Sequence, residues 1–151
     1  MVVSPKGRGN MHFGNLALLF HVLVEAPASL SFLLNAPKQL QEARPSPEAV
    51  LVCQSYGGLL VATNVLCVLL LYTRGSTNFD DASAIIAASL AIYHVMPMRR
   101  AWVRIKAQGA GRGWLQQADA LGGPYVHLMV HALLLVSLTW AGLHGIVLGK
   151  L

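Results

Sequence analysis

Charged residues are scarce in this chain of 151 residues. Only 11% of the residues are Asp, Glu, Lys or Arg, whereas a soluble domain of this size carries about a quarter. Hydrophobic residues make up 55% of the chain, and no internal repeat or low-complexity tract interrupts them. This composition argues against a soluble globular protein. It predicts a multi-pass membrane protein with a single domain over residues 1–151.

Cysteine is scarce as well, since Cys53 and Cys67 are the only two. Both lie in one apolar run, where the helical rise between them would amount to about 21 Å. A disulfide cannot span that distance. We interpret both as small apolar packing residues, and they do not identify a compartment.

Acidic residues are the rarer charge. Six Asp and Glu stand against 11 Lys and Arg, which gives a net charge of +5. The positive excess lies mainly in residues 99–121, without the basic and aromatic pattern that is typical of nucleic-acid binding. We therefore expect no nucleic acid as a partner. The basic segment indicates membrane topology and offers a surface to a protein partner.

Four apolar runs make up most of the chain. A helix across a bilayer needs about 20 apolar residues, and the runs are predicted at residues 13–34, 50–72, 82–98 and 125–148. Residues 46–48, Ser-Pro-Glu, form a helix start before the second run, and Asp80 or Asp81 caps the third. We predict an all-α fold, a polytopic bundle of four transmembrane helices. Its basic linker, residues 99–121, begins as a helical extension.

The distribution of Lys and Arg predicts which side the linker occupies. Four lie on the side of both termini (Lys6, Arg8, Arg74, Lys150), and seven on the other side (Lys38, Arg44, Arg99, Arg100, Arg104, Lys106, Arg112). The positive-inside rule then predicts a cytoplasmic linker, and we expect an endomembrane of ER type rather than the plasma membrane. Residues 1–28 have some features of a signal peptide. Because the apolar run continues to Leu34, we expect this segment to be retained as the first span.

Glu25 is the most informative residue in the sequence. It lies within the first apolar run, and His21 precedes it by one helical turn. A charge near mid-membrane costs roughly 2.5–3.5 kcal/mol, so the carboxylate should face a partner or a cavity. Residues four apart share a helix face. Because Glu and His exchange protons near neutral pH, we predict Glu25 and His21 as a catalytic pair; the alternative is a structural pair that fixes helix packing.

Polar residues in the other runs are predicted to line a substrate pocket in the same half of the membrane. They are Gln54, Tyr56, Tyr93, His94, His127 and His131, with Arg99 and Arg100 at the pocket mouth. Pro27 and Pro97 each free a backbone carbonyl, which in a membrane needs a partner in protein or water-filled space. Asn64 is expected to form a hydrogen bond across helices. Together these residues predict a pocket that opens toward the basic linker.

His127 and His131 have the spacing of two metal ligands on one helix. His94 and Glu25 are candidates for the remaining donors, and His94 facing either of the other histidines would suit haem. The alternative is that both are interfacial histidines that contact water at a helix end. We predict no metal and no cofactor, and a metal or haem redox module remains an alternative.

Part of the sequence is similar to the small four-helix membrane enzymes of the sterol isomerase type. The similar features are Tyr93-His94, the Pro97 that follows, and Pro124-Tyr125 at the start of the fourth run. This resemblance of architecture implies a polar cavity in one half of the membrane. The chain departs from those enzymes, which use more acidic groups, because Glu25 is the only carboxylate in its predicted spans. Small fungal-type anthrone oxygenases share the length and the span number, without a matching motif.

The sequence thus favours a membrane-integral enzyme that acts on a lipophilic small molecule by Glu/His proton transfer. The reaction would be of the isomerase, cyclase or cofactor-free oxygenase type. The expected partners are the lipid bilayer and a hydrophobic small molecule. Whether the chain is an enzyme stays open, because a non-enzymatic membrane scaffold or partner subunit also fits its composition.

Overall fold

The described part of the chain is helical and contains no strand. The computed structural model describes residues 10–40, 44–108 and 123–147. Its helices are α1 (Phe13–Leu34), α2 (Ala36–Leu40), α3 (Pro47–Arg74), α4 (Asp81–Tyr93), α5 (Val95–Gln108) and α6 (Gly123–Val147). The prediction of an all-α fold is confirmed.

Four helical stretches are long and apolar enough to cross a membrane. They are Phe13–Leu34, Pro47–Arg74, Asp81–Ala107 and Gly123–Val147. Many of their large apolar side chains point outward, among them Leu23, Leu69 and Val136, which are all more than half exposed. Such a surface fits lipid rather than water. The chain is an integral multi-pass membrane protein, and its helices are consistent with the predicted four-helix membrane bundle.

The helix bounds follow capping residues rather than the ends of the apolar runs. The first span, Phe13–Leu34, agrees with the prediction. The second spanning helix begins at Pro47, before its apolar run, because the Ser46 hydroxyl accepts a hydrogen bond from the Ala49 amide at 3.2 Å. The helix start predicted at residues 46–48 is confirmed. At α4 the Asp80 carboxylate accepts one from the Ser83 amide at 3.0 Å, so the capping prediction is confirmed for Asp80.

The third apolar run does not end at residue 98. After an interruption at His94, the chain continues as α5 to Gln108, so the predicted helical start of the basic linker is confirmed. Pro97 explains the interruption, because it has no amide hydrogen for the carbonyl four residues earlier. The rest of the linker, residues 109–121, and the predicted end of the fourth span at residue 148 lie outside the described residues.

The chain forms two compact units, Met1–Asn78 and Phe79–Leu151. The first contains α1 to α3, and the second contains α4 to α6. The division into two units does not test the expected single domain over residues 1–151, which stays a prediction.

In the first unit, α1 and α3 pack against each other and run antiparallel. At one end, the Asn15 side-chain amide donates to the backbone carbonyls of Ser76 at 2.8 Å and Asn78 at 2.9 Å. At the other end, the Gln54 amide donates to the Leu33 carbonyl at 3.3 Å. These bonds fix the register of the two helices over their shared length.

Gly57 sets how closely α1 and α3 approach. A Cβ atom added at Gly57 would lie 2.9 Å from both the Leu33 backbone nitrogen and the Phe32 Cβ atom. Only glycine leaves that contact unstrained, and small residues at such crossings are typical of membrane helices.

In the second unit, α6 packs antiparallel against α4 and α5. Gly142 plays the part that Gly57 plays in the first unit, since an added Cβ atom would lie 2.8 Å from the Ala88 Cβ atom. From this close crossing the helices continue to His94 and His131, which meet at the other end of the pair.

Candidate functional site

Glu25 and His21 lie on the buried face of α1. Their exposed fractions are 1% and 0%. Gly14 and Leu18 are buried on the same face, as the helical spacing requires. The predicted pair therefore shares one face of a spanning helix and is hidden from lipid and water alike.

The register of the first unit places Asn64 at about the same level as Glu25. Leu33 of α1 lies against Gly57 of α3, and the two helices run antiparallel. Eight residues back from Leu33 is Glu25, and seven forward from Gly57 is Asn64. At seven residues' distance, Asn64 also shares the helix face with Gly57, which is the face turned toward α1. The buried carboxyl and a buried amide thus occupy the same level of one helix pair.

Asn64 forms no interhelical hydrogen bond with the residues that the structure describes, contrary to the expectation from the sequence. Its side chain is 7% exposed, and neither its amide nitrogen nor its amide oxygen has a hydrogen-bond partner within residues 10–40, 44–108 and 123–147. A buried amide without a partner costs about 1–3 kcal/mol. Buried polar groups of this kind call for an explanation such as a bound ligand or water. Asn64 is the residue that sequence reasoning undervalued.

Gln54 and Tyr56 lie closer to the end of α1 than Glu25 does. Gln54 is hydrogen-bonded to the Leu33 carbonyl, and the Tyr56 ring packs edge-on against Phe32 with 5.0 Å between ring centres. Along α1 these partners are about 12 Å from the level of Glu25. The structure therefore brings Asn64, rather than Gln54 or Tyr56, to the level of the carboxyl.

In the second unit, His94 and His131 form a buried pair. Their Nδ1 atoms are 2.9 Å apart, which is a hydrogen-bond distance, and their exposed fractions are 0% and 6%. Tyr93 lies edge-on to His94 with 4.9 Å between ring centres. The structure thus brings together three of the predicted lining residues of this unit.

His127 lies one turn before His131 on α6. Its ring centre is 5.9 Å from that of His131, and its Nδ1 atom is 3.1 Å from the Gly123 carbonyl oxygen. Because a carbonyl oxygen only accepts, Nδ1 carries the hydrogen and Nε2 the lone pair. Arg100 acts electrostatically on His127, whereas Arg99 is exposed.

These features define a helical multi-pass membrane protein with ionisable side chains buried in its spans. No known protein family matches the chain, and no curated protein or solved structure matches it.

Proposed function

We propose that this protein is a membrane-integral enzyme that transfers protons on a lipophilic small molecule. Glu25 is the acid or base, and His21 is its partner on the same helix face. The observation that most supports this proposal is that Glu25 and Asn64 lie at the same level of two packed helices in the first unit. A buried carboxyl and a buried amide lie at one level of α1 and α3, and no described residue satisfies that amide.

The chemistry of these groups is suited to a polar atom on an apolar ligand. A carboxyl group at this depth is costly to keep unless it has a function. The Asn64 amide both donates and accepts, so a carbonyl or hydroxyl group of the ligand would satisfy it. Leu18, Leu60 and Cys67, the buried neighbours along the two helices, would favour an apolar remainder of the molecule.

Each residue then has a distinct role. A Glu25 oxygen takes a proton from a carbon of the ligand, and the same group returns it to another carbon, which moves a double bond or closes a ring. Asn64 donates a hydrogen bond to the oxygen on which negative charge develops. His21 positions the carboxyl group. A cofactor-free oxygenation would start with the same proton abstraction.

The predicted lining residues stay part of the proposal as substrate contacts. They are Gln54, Tyr56, Tyr93, His94, His127, His131, Arg99 and Arg100. The acid–base step itself needs only the first unit.

The test compares apolar extracts of cells that produce the wild-type chain, Glu25→Gln or Glu48→Gln. Glu48 is exposed at the start of α3, so its amide variant is the matched control. Chromatography coupled to mass spectrometry should show a compound consumed and an isomer of different retention time, or an oxidised product, formed with wild type and Glu48→Gln. Glu25→Gln should reduce that conversion about 10²–10⁴-fold while membrane insertion is retained.

Full conversion by Glu25→Gln would contradict the assignment. If the protein is a non-enzymatic scaffold, the opposite result is expected, because Glu25→Gln would then be harmless. In that case replacing Arg99, Arg100 and Arg104 with Gln would cause the loss of function.

We also propose an endomembrane location with the basic linker in the cytoplasm. The support is that seven Lys and Arg lie on the predicted linker side and four on the side of the termini, as the positive-inside rule requires. A glycosylation acceptor introduced at residue 112 should stay unmodified. Its glycosylation would show that the linker lies on the opposite side of the membrane.

A further inference from the structure

The helix α5 ends in a cluster of positive charge. Its last ten residues include four cations and no acid. Among the described residues of the second unit, the only acids are Asp80 and Asp81. They lie at the start of α4, at the opposite end of the same spanning stretch. Within the described part of its own unit, the positive charge of α5 therefore has no carboxylate nearby to balance it.

One face of α5 is exposed and carries both charged and apolar side chains. Arg99, Trp102, Val103 and Lys106 are all exposed, and their spacing of three and four residues places them on one side of the helix. Ala101, on the opposite side, is buried, and α5 packs against α6 within the unit. The exposed side thus combines two cations with an aromatic and an aliphatic side chain.

Lys106 contacts Trp102 along this face. Its Nζ atom lies 5.2 Å from the centre of the Trp102 ring, which is a cation–π distance. The side chains of Arg99 and Lys106 form no ion pair or hydrogen bond with any residue that the structure describes. Both cations are therefore available to an anion from outside the described chain.

The length of the third spanning stretch places this face at the edge of the bilayer. Asp81–Ala107 contains 27 residues, and a helix of that length is about 40 Å long. Because the hydrocarbon core is about 30 Å thick, about 10 Å of helix extends into the headgroup region. Asp80 and Asp81 lie at one boundary, so the excess length is at the basic end. Tryptophan is enriched at the same boundary in membrane proteins.

We propose that the exposed face of α5 binds the headgroups of anionic phospholipids. The lipid phosphate lies beside Arg99 and Lys106, and the Trp102 ring lies against the start of the acyl chains. The cytoplasmic leaflet is the one that carries anionic lipid, which agrees with the cytoplasmic linker proposed above. This inference goes beyond the proposed function, because Trp102 and Lys106 have no part in the proton transfer.

The experiment measures which lipid the purified full-length chain retains in detergent. The micelles contain equal amounts of phosphatidylglycerol and phosphatidylcholine, which differ in net charge, and mass spectrometry quantifies the bound lipid after gel filtration. Each Lys or Arg near an anionic surface favours binding about fivefold. With two such contacts, wild type should retain phosphatidylglycerol over phosphatidylcholine about 25-fold. High salt should lower this ratio, because both cations are exposed.

Single variants show whether the preference depends on this face. Arg99→Gln and Lys106→Gln should each lower the ratio about fivefold, whereas Lys106→Arg keeps the charge and should bind as wild type does. Lys38→Gln is the matched control, because Lys38 is an exposed cation on the same predicted side of the membrane. It lies within residues 36–50, whose two basic and two acidic residues cancel, so its replacement should leave the ratio unchanged.

Four results would overturn the lipid site. Wild type might retain both lipids equally, or Lys38→Gln might lose as much preference as Lys106→Gln. Unchanged ratios in both Arg99→Gln and Lys106→Gln would leave the face to a protein partner instead. Displacement of the lipid by glycerol phosphate would indicate a site for a soluble anion. Circular dichroism checks the helices of each variant, and because Arg99 and Lys106 are exposed, their replacement should leave the packing of α5 intact.

Discussion

The two compact units pack their spanning helices in the same way, but they bury different polar side chains. Each brings two antiparallel spanning helices together at a glycine, Gly57 against Leu33 in the first and Gly142 against Ala88 in the second. The first then buries a carboxyl and an amide, whereas the second buries imidazoles. Close helix contact is thus a shared requirement of the fold, and the choice of polar residues is where the units diverge.

The two units also differ in the hydrogen bonding of their buried polar side chains. His94 and His131 are hydrogen-bonded to each other within the second unit. Asn64 of the first unit has no partner in the described residues. The imidazole pair of the second unit thus has a hydrogen bond within the unit, whereas the buried Asn64 amide of the first unit calls for an additional polar group. This contrast is why the acid–base chemistry is assigned to α1 and α3.

The largest effect on stability is expected where the shared packing is broken. Gly57→Ala and Gly142→Ala each place a methyl group less than 3 Å from the opposite helix, and overpacking of this kind costs about 1–3 kcal/mol. Thermal unfolding in detergent should show both losses. Gly58→Ala is the control, because a Cβ atom there meets nothing within 4 Å, and it should unfold as wild type does. Equal behaviour of all three variants would show that the glycine contacts are unimportant.

A similar or smaller loss of stability is expected when Asn15, at one end of the first unit, is replaced. Asn15→Leu removes the side-chain donor that holds the carbonyls of Ser76 and Asn78. These acceptors are part-buried, so the cost should be about 1–2 kcal/mol. Denaturant or thermal unfolding would measure it. An unchanged midpoint would mean that water replaces the amide at no cost.

The smallest effect on stability is expected at Asn64, and it sharpens the contrast between the units. Asn64→Leu keeps the approximate volume and removes an amide that has no partner in the described residues. Stability should therefore be unchanged or higher. Conversion of the proposed apolar substrate should nevertheless fall about tenfold or more, since the proposed hydrogen bond from Asn64 to it is lost. A strongly destabilised Asn64→Leu would instead indicate a structural role for the amide.

The sequence was sufficient to predict the four spanning helices, but not the short α2 or the register of the helices. Apolar length identified the span Phe13–Leu34, and capping chemistry identified Ser46 and Asp80. The contacts of Gln54 with Leu33 and of Tyr56 with Phe32 place both near the end of α1, a detail of register that apolar length alone does not give. No rule of composition could show that Asn64 lies level with Glu25, since that depends on how closely Gly57 lets two helices approach.

In the second unit, too, the contacts between helices could not be predicted from the sequence. The spacing of His127 and His131 predicted a shared helix face, which the structure confirms. The contact between His94 and His131 joins two helices and depends on the break at His94. Pro97 was the visible signal of that break, but the partner could only be identified from the fold.

The central claim is that Glu25 moves a proton to or from an apolar molecule, and deuterium labelling tests it most directly. Membranes that contain the protein are incubated in D₂O with the apolar extract of the producing cells. The protein is then denatured, and the extracted apolar compounds are washed with H₂O, which removes deuterium from O–H groups only. Wild type and Glu48→Gln should leave carbon-bound deuterium in one apolar compound, and Glu25→Gln should label it about 10²–10⁴-fold more slowly. Equal labelling by Glu25→Gln, or no labelling by wild type, would contradict the account.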